Sequence, residues 1–134
     1  MISLQNDTVK FCNDNEWILI YLWSLNCEPC IKQLYEFGRE KDSLGSHVLN
    51  DYGIKIYAVN YSSNNLSLIN KIADKTNSTD IMYSAKGLGN CIRIPSLGYY
   101  YLISPDKNVV FKDYKLGDYS ELLKAKEEYE KKNK

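Results

Sequence analysis

The chain has 134 residues, 44% of them hydrophobic, which is the size and content of one ordinary domain with a core of its own. Seventeen basic residues balance seventeen acidic ones, so no field of one sign favours nucleic acid or an anionic membrane. The longest apolar run, Trp17 to Trp23, is too short to span a bilayer, and the first residues carry neither a basic nor a long apolar region; a soluble chain that does not insert in a membrane is expected.

Strands and helices alternate along the chain. Thr8 to Phe11 is expected to form a short strand after an Asn6-Asp7 turn. Trp17 to Trp23 (WILIYLW) is a continuous run of β-branched, aliphatic and aromatic residues, which suits a central strand covered on both faces. After the Ser24 to Asn26 loop, Cys27 to about Lys41 has a helical face of Ile31, Leu34, Tyr35 and Phe37, and Pro29 fits a first turn, where its missing N–H is no loss. Tyr52 to Tyr61 alternates as a second core strand. Asn64 or Asn65 then caps a helix carrying Leu66, Ile69, Ile72 and Ala73. Asp74 to Asn90 has no clear pattern. Tyr99 to Ile103, the turn SPDKN and Val109 to Tyr114 make an antiparallel hairpin. A last helix starts at Asp118, with Asp118 and Glu121 spaced as a capping box and Leu122, Ala125 and Tyr129 as its buried stripe. The order implies an α/β fold, a mixed sheet flanked by helices with a short extra N-terminal strand. It is expected to be a single domain over residues 1–134, monomeric, whose last helix frays through the charged tail from about residue 120 onward.

Cys27-Glu28-Pro29-Cys30 falls where the central strand hands over to the first helix, at the carboxyl edge of the sheet, where open α/β sheets present their sites. A CxxC pair can hold zinc, staple a loop or exchange electrons. Zinc needs four ligands, and only Cys12, Cys91 and His47 remain as partners, none in a second close pair. A purely structural bridge would close a very small loop and restrict little of the unfolded chain. Redox exchange needs one thiol at a helix N-terminus, where unpaired amides and the macrodipole stabilise thiolate. Cys27 has that position and Cys30, one turn inside, is placed to attack a mixed disulfide on the Cys27 sulfur. Redox exchange is the favoured reading.

The run ILIYLWSLNCEPC resembles the strand, loop and CxPC helix start of thioredoxin-like proteins, in particular thiol-disulfide oxidoreductases of the TlpA/ResA type. The resemblance extends to a turn and strand like Asn6 to Phe11, the strand YGIKIYAVNY, and the hairpin LISPDKNVVFKDY followed by a Gly-Asp helix start. It implies a thioredoxin fold, a catalytic Cys27 and Cys30, no cofactor and no metal. Protein substrates would contact Trp23, Asn26, Glu28, Pro29 and the loop holding Pro95, Leu97 and Gly98.

Three positions depart from that family's pattern. Asn26 stands where tryptophan usually precedes the first cysteine. Tyr21 stands where a buried aspartate handles protons at the second, and Gln33 where an acidic residue often follows three positions later. That leaves Glu28 as the nearest carboxylate, and its charge would also oppose a thiolate on Cys27. The family's cis-proline precedes the hairpin strand. Counting back without a gap from Leu102-Ile103 puts Gly98 there, and Pro95 is reached only by inserting three residues; a cis Leu97-Gly98 bond would cost about 2.5 to 4 kcal/mol, so a trans or altered loop is expected. Trp23 divides between core and docking surface. The tyrosines at 99 to 101 read as a strand, His47 as a surface residue, and Cys12 and Cys91 as isolated thiols.

The expected function is exchange of a dithiol for a disulfide with protein substrates, as a reductant recharged by an upstream electron donor. The alternative is a module that keeps the fold and holds a partner in the same groove without turnover; a copper or zinc carrier comes third. The resemblance implies an extracytoplasmic location, periplasmic or membrane-tethered, if an N-terminal signal has been removed, and a cytoplasmic one otherwise.

Overall fold

The computed structural model of the chain describes residues 2–3, 15–60, 65–84, 100–113 and 119–133. Among these, six strands form one mixed sheet: β1 (Ile2–Ser3), β2 (Trp17–Trp23), β3 (Ile54–Asn60), β4 (Met82–Ser84), β5 (Tyr100–Ile103) and β6 (Val109–Asp113). Their spatial order is β1-β4-β3-β2-β5-β6. The helices are α1 (Glu28–Arg39), α2 (Leu66–Lys75) and α3 (Ser120–Lys132), with short 3-10 turns at Val48–Tyr52 and Thr79–Ile81.

The apolar run places β2 at the centre, with all seven residues buried. It pairs in parallel with β3 from Trp17–Ile54 to Trp23–Asn60, and antiparallel with β5 from Ile18–Ile103 to Tyr21–Tyr100. One face of β2, Trp17, Leu19, Tyr21 and Trp23, packs with Leu34 and Phe37 of α1, Ile69 and Ala73 of α2 and Leu122 of α3 in a single cluster. The steps from β2 to β3 and from β3 to β4 move outward in the same direction, and the right-handed sense of such connections carries α1 and α2 to one face. Ile18, Ile20 and Leu22 on the other face are equally shielded. A strand buried on both faces cannot alternate polar and apolar residues, which is why the run is continuous.

At Gly38, near the end of α1, a Cβ would collide with the Thr76 carbonyl, and Asn77 Nδ2 donates to the Gly38 carbonyl at 3.3 Å. Glycine lets the two helices close to backbone contact.

Some expectations are corrected and others lie outside the described residues. β4 falls inside the stretch read as patternless; three residues are too few for alternation to register, and its buried anchor is Met82. The expected strand at Thr8 to Phe11 lies outside the described residues; the short N-terminal strand observed is Ile2–Ser3, antiparallel to β4. Asn65 caps α2 through its side chain, accepting from the Leu68 amide at 3.2 Å, but Leu66 is exposed and the buried stripe narrows to Ile69 and Ala73. Asp118 lies outside the described residues. The N-cap of α3 is Tyr119, in the left-handed region at φ 71° and with no side-chain capping bond; its phenol donates to Glu40. The helix continues to Lys132. His47 is not a surface residue: it is 5% exposed, and its Nδ1 caps the turn at Val48–Tyr52 by accepting from the Leu49 amide at 3.0 Å.

Candidate active site

The turn from β2 into α1 is closed by the Cys27 amide donating to the Ser24 carbonyl at 3.3 Å, with Leu25 packed against the core. Cys27 is then the N-cap of α1, in extended conformation, and its sulfur accepts from the Cys30 amide at 3.2 Å. Glu28 and Pro29 fill the first helical positions. Proline has no N–H to lose there, and a carboxylate complements the positive end of the helix dipole. Cys30 follows one turn in, and the two cysteines are joined by a disulfide with their Cα atoms 5.2 Å apart. Their environments differ: Cys27 is partly exposed and Cys30 is 6% exposed.

Behind Cys30 stand two tyrosines from neighbouring strands. Tyr21 of β2 and Tyr100 of β5 are register partners, stacked with ring centroids 4.7 Å apart. The Tyr21 hydroxyl donates to the Cys30 carbonyl at 3.0 Å, and the Tyr100 hydroxyl donates to Gln33 Oε1 at 2.9 Å. Burial raises the Tyr100 pKa above its ordinary value, a shift only partly opposed by the Tyr21 hydroxyl, so this phenol remains a donor. The sequence marks Tyr21 and Gln33 only as places where a carboxylate is expected. That a strand residue reaches the helix backbone at Cys30 is visible only once strand and helix are packed together.

Trp23 is fully buried, its indole N–H donating to Met82 Sδ at 3.2 Å, so its ring belongs to the core. Asn26, Glu28 and Pro29 are exposed around Cys27. Tyr100 and Tyr101 are both buried. Pro95, Leu97, Gly98, Tyr99, Cys12 and Cys91 lie outside the described residues, as does the choice between Pro95 and Gly98 at the proline position. Among the described residues no group of three His, Cys, Asp or Glu side chains could hold a metal ion, and no helix is long and apolar enough to cross a membrane.

A second polar cluster closes the opposite end of α1, about 18 Å of helix away. Glu40, the C-cap, accepts a 2.6 Å hydrogen bond from the Tyr119 hydroxyl, and its Oε2 lies 3.2 Å from His47 Nε2. The Nδ1 of His47 is occupied by the Leu49 amide, so the neutral ring carries its proton on Nε2, facing Glu40. Burial lowers the His47 pKa, with Glu40 pulling the other way, and burial together with the Glu40 carboxylate raises that of Tyr119.

No protein-family model and no curated protein sequence matches the chain. Solved structures do. A thiol:disulfide interchange protein from Bacteroides sp. is similar at 18% identity and TM-score 0.66, over 92% of this chain and 81% of that one. StoA from Bacillus subtilis is similar at 17% identity and TM-score 0.62, over 84% of each chain. A thioredoxin-like protein from Aeropyrum pernix is similar at 13% identity and TM-score 0.66, over 93% of this chain and 87% of that one.

Proposed function

We propose, for a chain whose fold is that of the thioredoxin-like thiol:disulfide interchange proteins, that it exchanges the Cys27–Cys30 dithiol for disulfides in protein substrates. The observation that carries this reading is the asymmetry of the pair. One sulfur is partly exposed at a helix N-terminus and accepts a backbone amide; the other is buried one turn behind and bonded to it. An N-terminal amide and the positive end of the helix stabilise negative charge on Cys27, which makes it the attacking group.

In the reductive direction, the Cys27 thiolate attacks one sulfur of a substrate disulfide. A mixed disulfide forms, the substrate S–S bond breaks, and the other substrate sulfur leaves as a thiolate and takes a proton. Cys30 then gives up its proton and attacks the Cys27 sulfur. The bond from Cys27 to the substrate breaks, the substrate departs as a dithiol, and the protein keeps two fewer electrons as the Cys27–Cys30 bridge. An upstream dithiol restores the reduced pair by the same exchange in reverse. Asn26, Glu28 and Pro29 form the rim that a substrate meets first, and on the strength of the family resemblance we assign substrate contact to Pro95, Leu97 and Gly98 as well. The same resemblance supports a location outside the cytoplasm.

Reduction of insulin by dithiothreitol tests the activity. Acceleration by the protein that disappears in Cys27→Ser is expected. No acceleration over reductant alone would sink the enzyme reading in favour of a binding module on the same fold.

A further inference from the structure

We propose that Tyr21 and Tyr100 are positioning residues of the redox pair, a two-point clamp that holds the first turns of α1 against the sheet so that Cys30 stays in line with Cys27 when the bridge is open. This rests on the proposed exchange reaction and names what governs its second step.

The geometry separates two kinds of hold on Cys30. Its amide is held by the Cys27 sulfur at 3.2 Å, and its sulfur by the bridge itself. Both depend on Cys27, which in a mixed disulfide is attached to substrate. The carbonyl of Cys30 is held by Tyr21, which comes from β2, a strand buried along its whole length, and does not depend on the state of either sulfur. Tyr100, from the adjacent strand, grips Gln33 three residues further on, on the same side of the helix. The two rings brace each other by stacking, and Phe37 packs edge-on against Tyr21 at 5.6 Å. Both rings are at most 4% exposed, so water does not readily replace either hydroxyl.

Resolution is an intramolecular attack, and its rate and equilibrium scale with the effective concentration of the Cys30 sulfur at Cys27. The attack of Cys27 on substrate draws on Cys30 only through its backbone amide, a contact inside the first turn that leaves the Cys30 sulfur out. Loosening the clamp therefore slows the second step more than the first. Because the closed bridge also benefits from the same alignment, loosening makes the bridge easier to reduce.

The aromatic disulfide DTNB reads the two steps separately on the reduced protein: Cys27 attack releases one thionitrobenzoate anion and Cys30 attack releases the second. Tyr21→Phe is expected to slow the second phase by about three- to tenfold, the value of one hydrogen bond of ordinary net strength, and the first by clearly less. Equilibration with a glutathione buffer should show bridge formation weakened by a similar factor; tenfold there corresponds to about 30 mV. Tyr100→Phe should act in the same direction and by less, and the double variant should fall short of the product of the two.

A Tyr21→Phe second phase at the wild-type rate would overturn the clamp, as would equal slowing of both phases. If Tyr21→Phe does not fold, Tyr100→Phe decides by the same two criteria. Wild-type protein that releases no first anion would instead sink the exchange reading itself, so the two failures are distinct.

Discussion

At the N-terminal end of α1 the polar contacts join neutral groups around a covalent bond able to open: Tyr21 on the Cys30 carbonyl, Tyr100 on Gln33, the Cys30 amide on a sulfur. At the C-terminal end a carboxylate, Glu40, gathers the Tyr119 hydroxyl and faces a buried His47 ring that itself caps the next turn. Both ends use buried tyrosine hydroxyls, but toward different ends. Around the disulfide the hydrogen-bond donors are neutral, and the nearby charge is that of Glu28, exposed in the first turn of α1. Around Glu40 the contacts tie α1, the following turn and the start of α3 together. On the proposed function, one helix carries a site that changes state and an anchor that keeps still.

The comparison predicts that changes at the first end are read in chemistry and changes at the second in stability. The largest effect is Cys27→Ser, which should reduce insulin turnover to the level of reductant alone, while Cys30→Ser should trap the mixed disulfide with substrate, visible on a non-reducing gel. Phe37 touches both ends, packing edge-on against Tyr21 and His47 at 5.6 Å each. Phe37→Ala should cost about 3 to 5 kcal/mol in urea unfolding and slow resolution as well, whereas a loss confined to stability would show the two regions to be independent. Gly38→Ala forces a methyl group into the Thr76 carbonyl and should cost about 1 to 3 kcal/mol, with the first DTNB phase unchanged.

Tyr119→Phe should cost about 1 to 2 kcal/mol, through loss of the bond to Glu40, and leave both DTNB phases untouched. A slowed second phase in that variant would break the division between the ends. The smallest effect is pH-dependent. Folding lowers the His47 pKa from its usual 6.5, so on acidification the unfolded chain takes up the proton first. The stability contribution is complete above about pH 6.5 and is lost as pH falls from there toward the folded-state value; His47→Gln should flatten unfolding free energy against pH across that window.

Much of the fold is legible in the residues. WILIYLW announces a strand covered on both faces because seven consecutive apolar side chains leave no polar side to face water. The hairpin around SPDKN and the cap at Asn65 are local chemistry, and local chemistry is readable. β4 is not, because a three-residue strand is stabilised by its neighbours β3 and β1 and has no pattern of its own. His47 is misread for a related reason: its burial comes from Glu40 and Tyr119, the second of them far along the chain.

By itself, then, the order of hydrophobic runs and turn residues determined an α/β chain with a CxxC at the junction of its central strand and first helix, since periodicity and capping act between residues close in sequence. Only the tertiary structure decided what surrounds that pair. Which side chain lies behind Cys30 depends on the register of β2 against β5, which puts Tyr21 beside Tyr100, and on the depth at which α1 packs on them. Those are contacts across 9 and 67 residues of chain, set by burial of the whole face at once, and no local pattern encodes them.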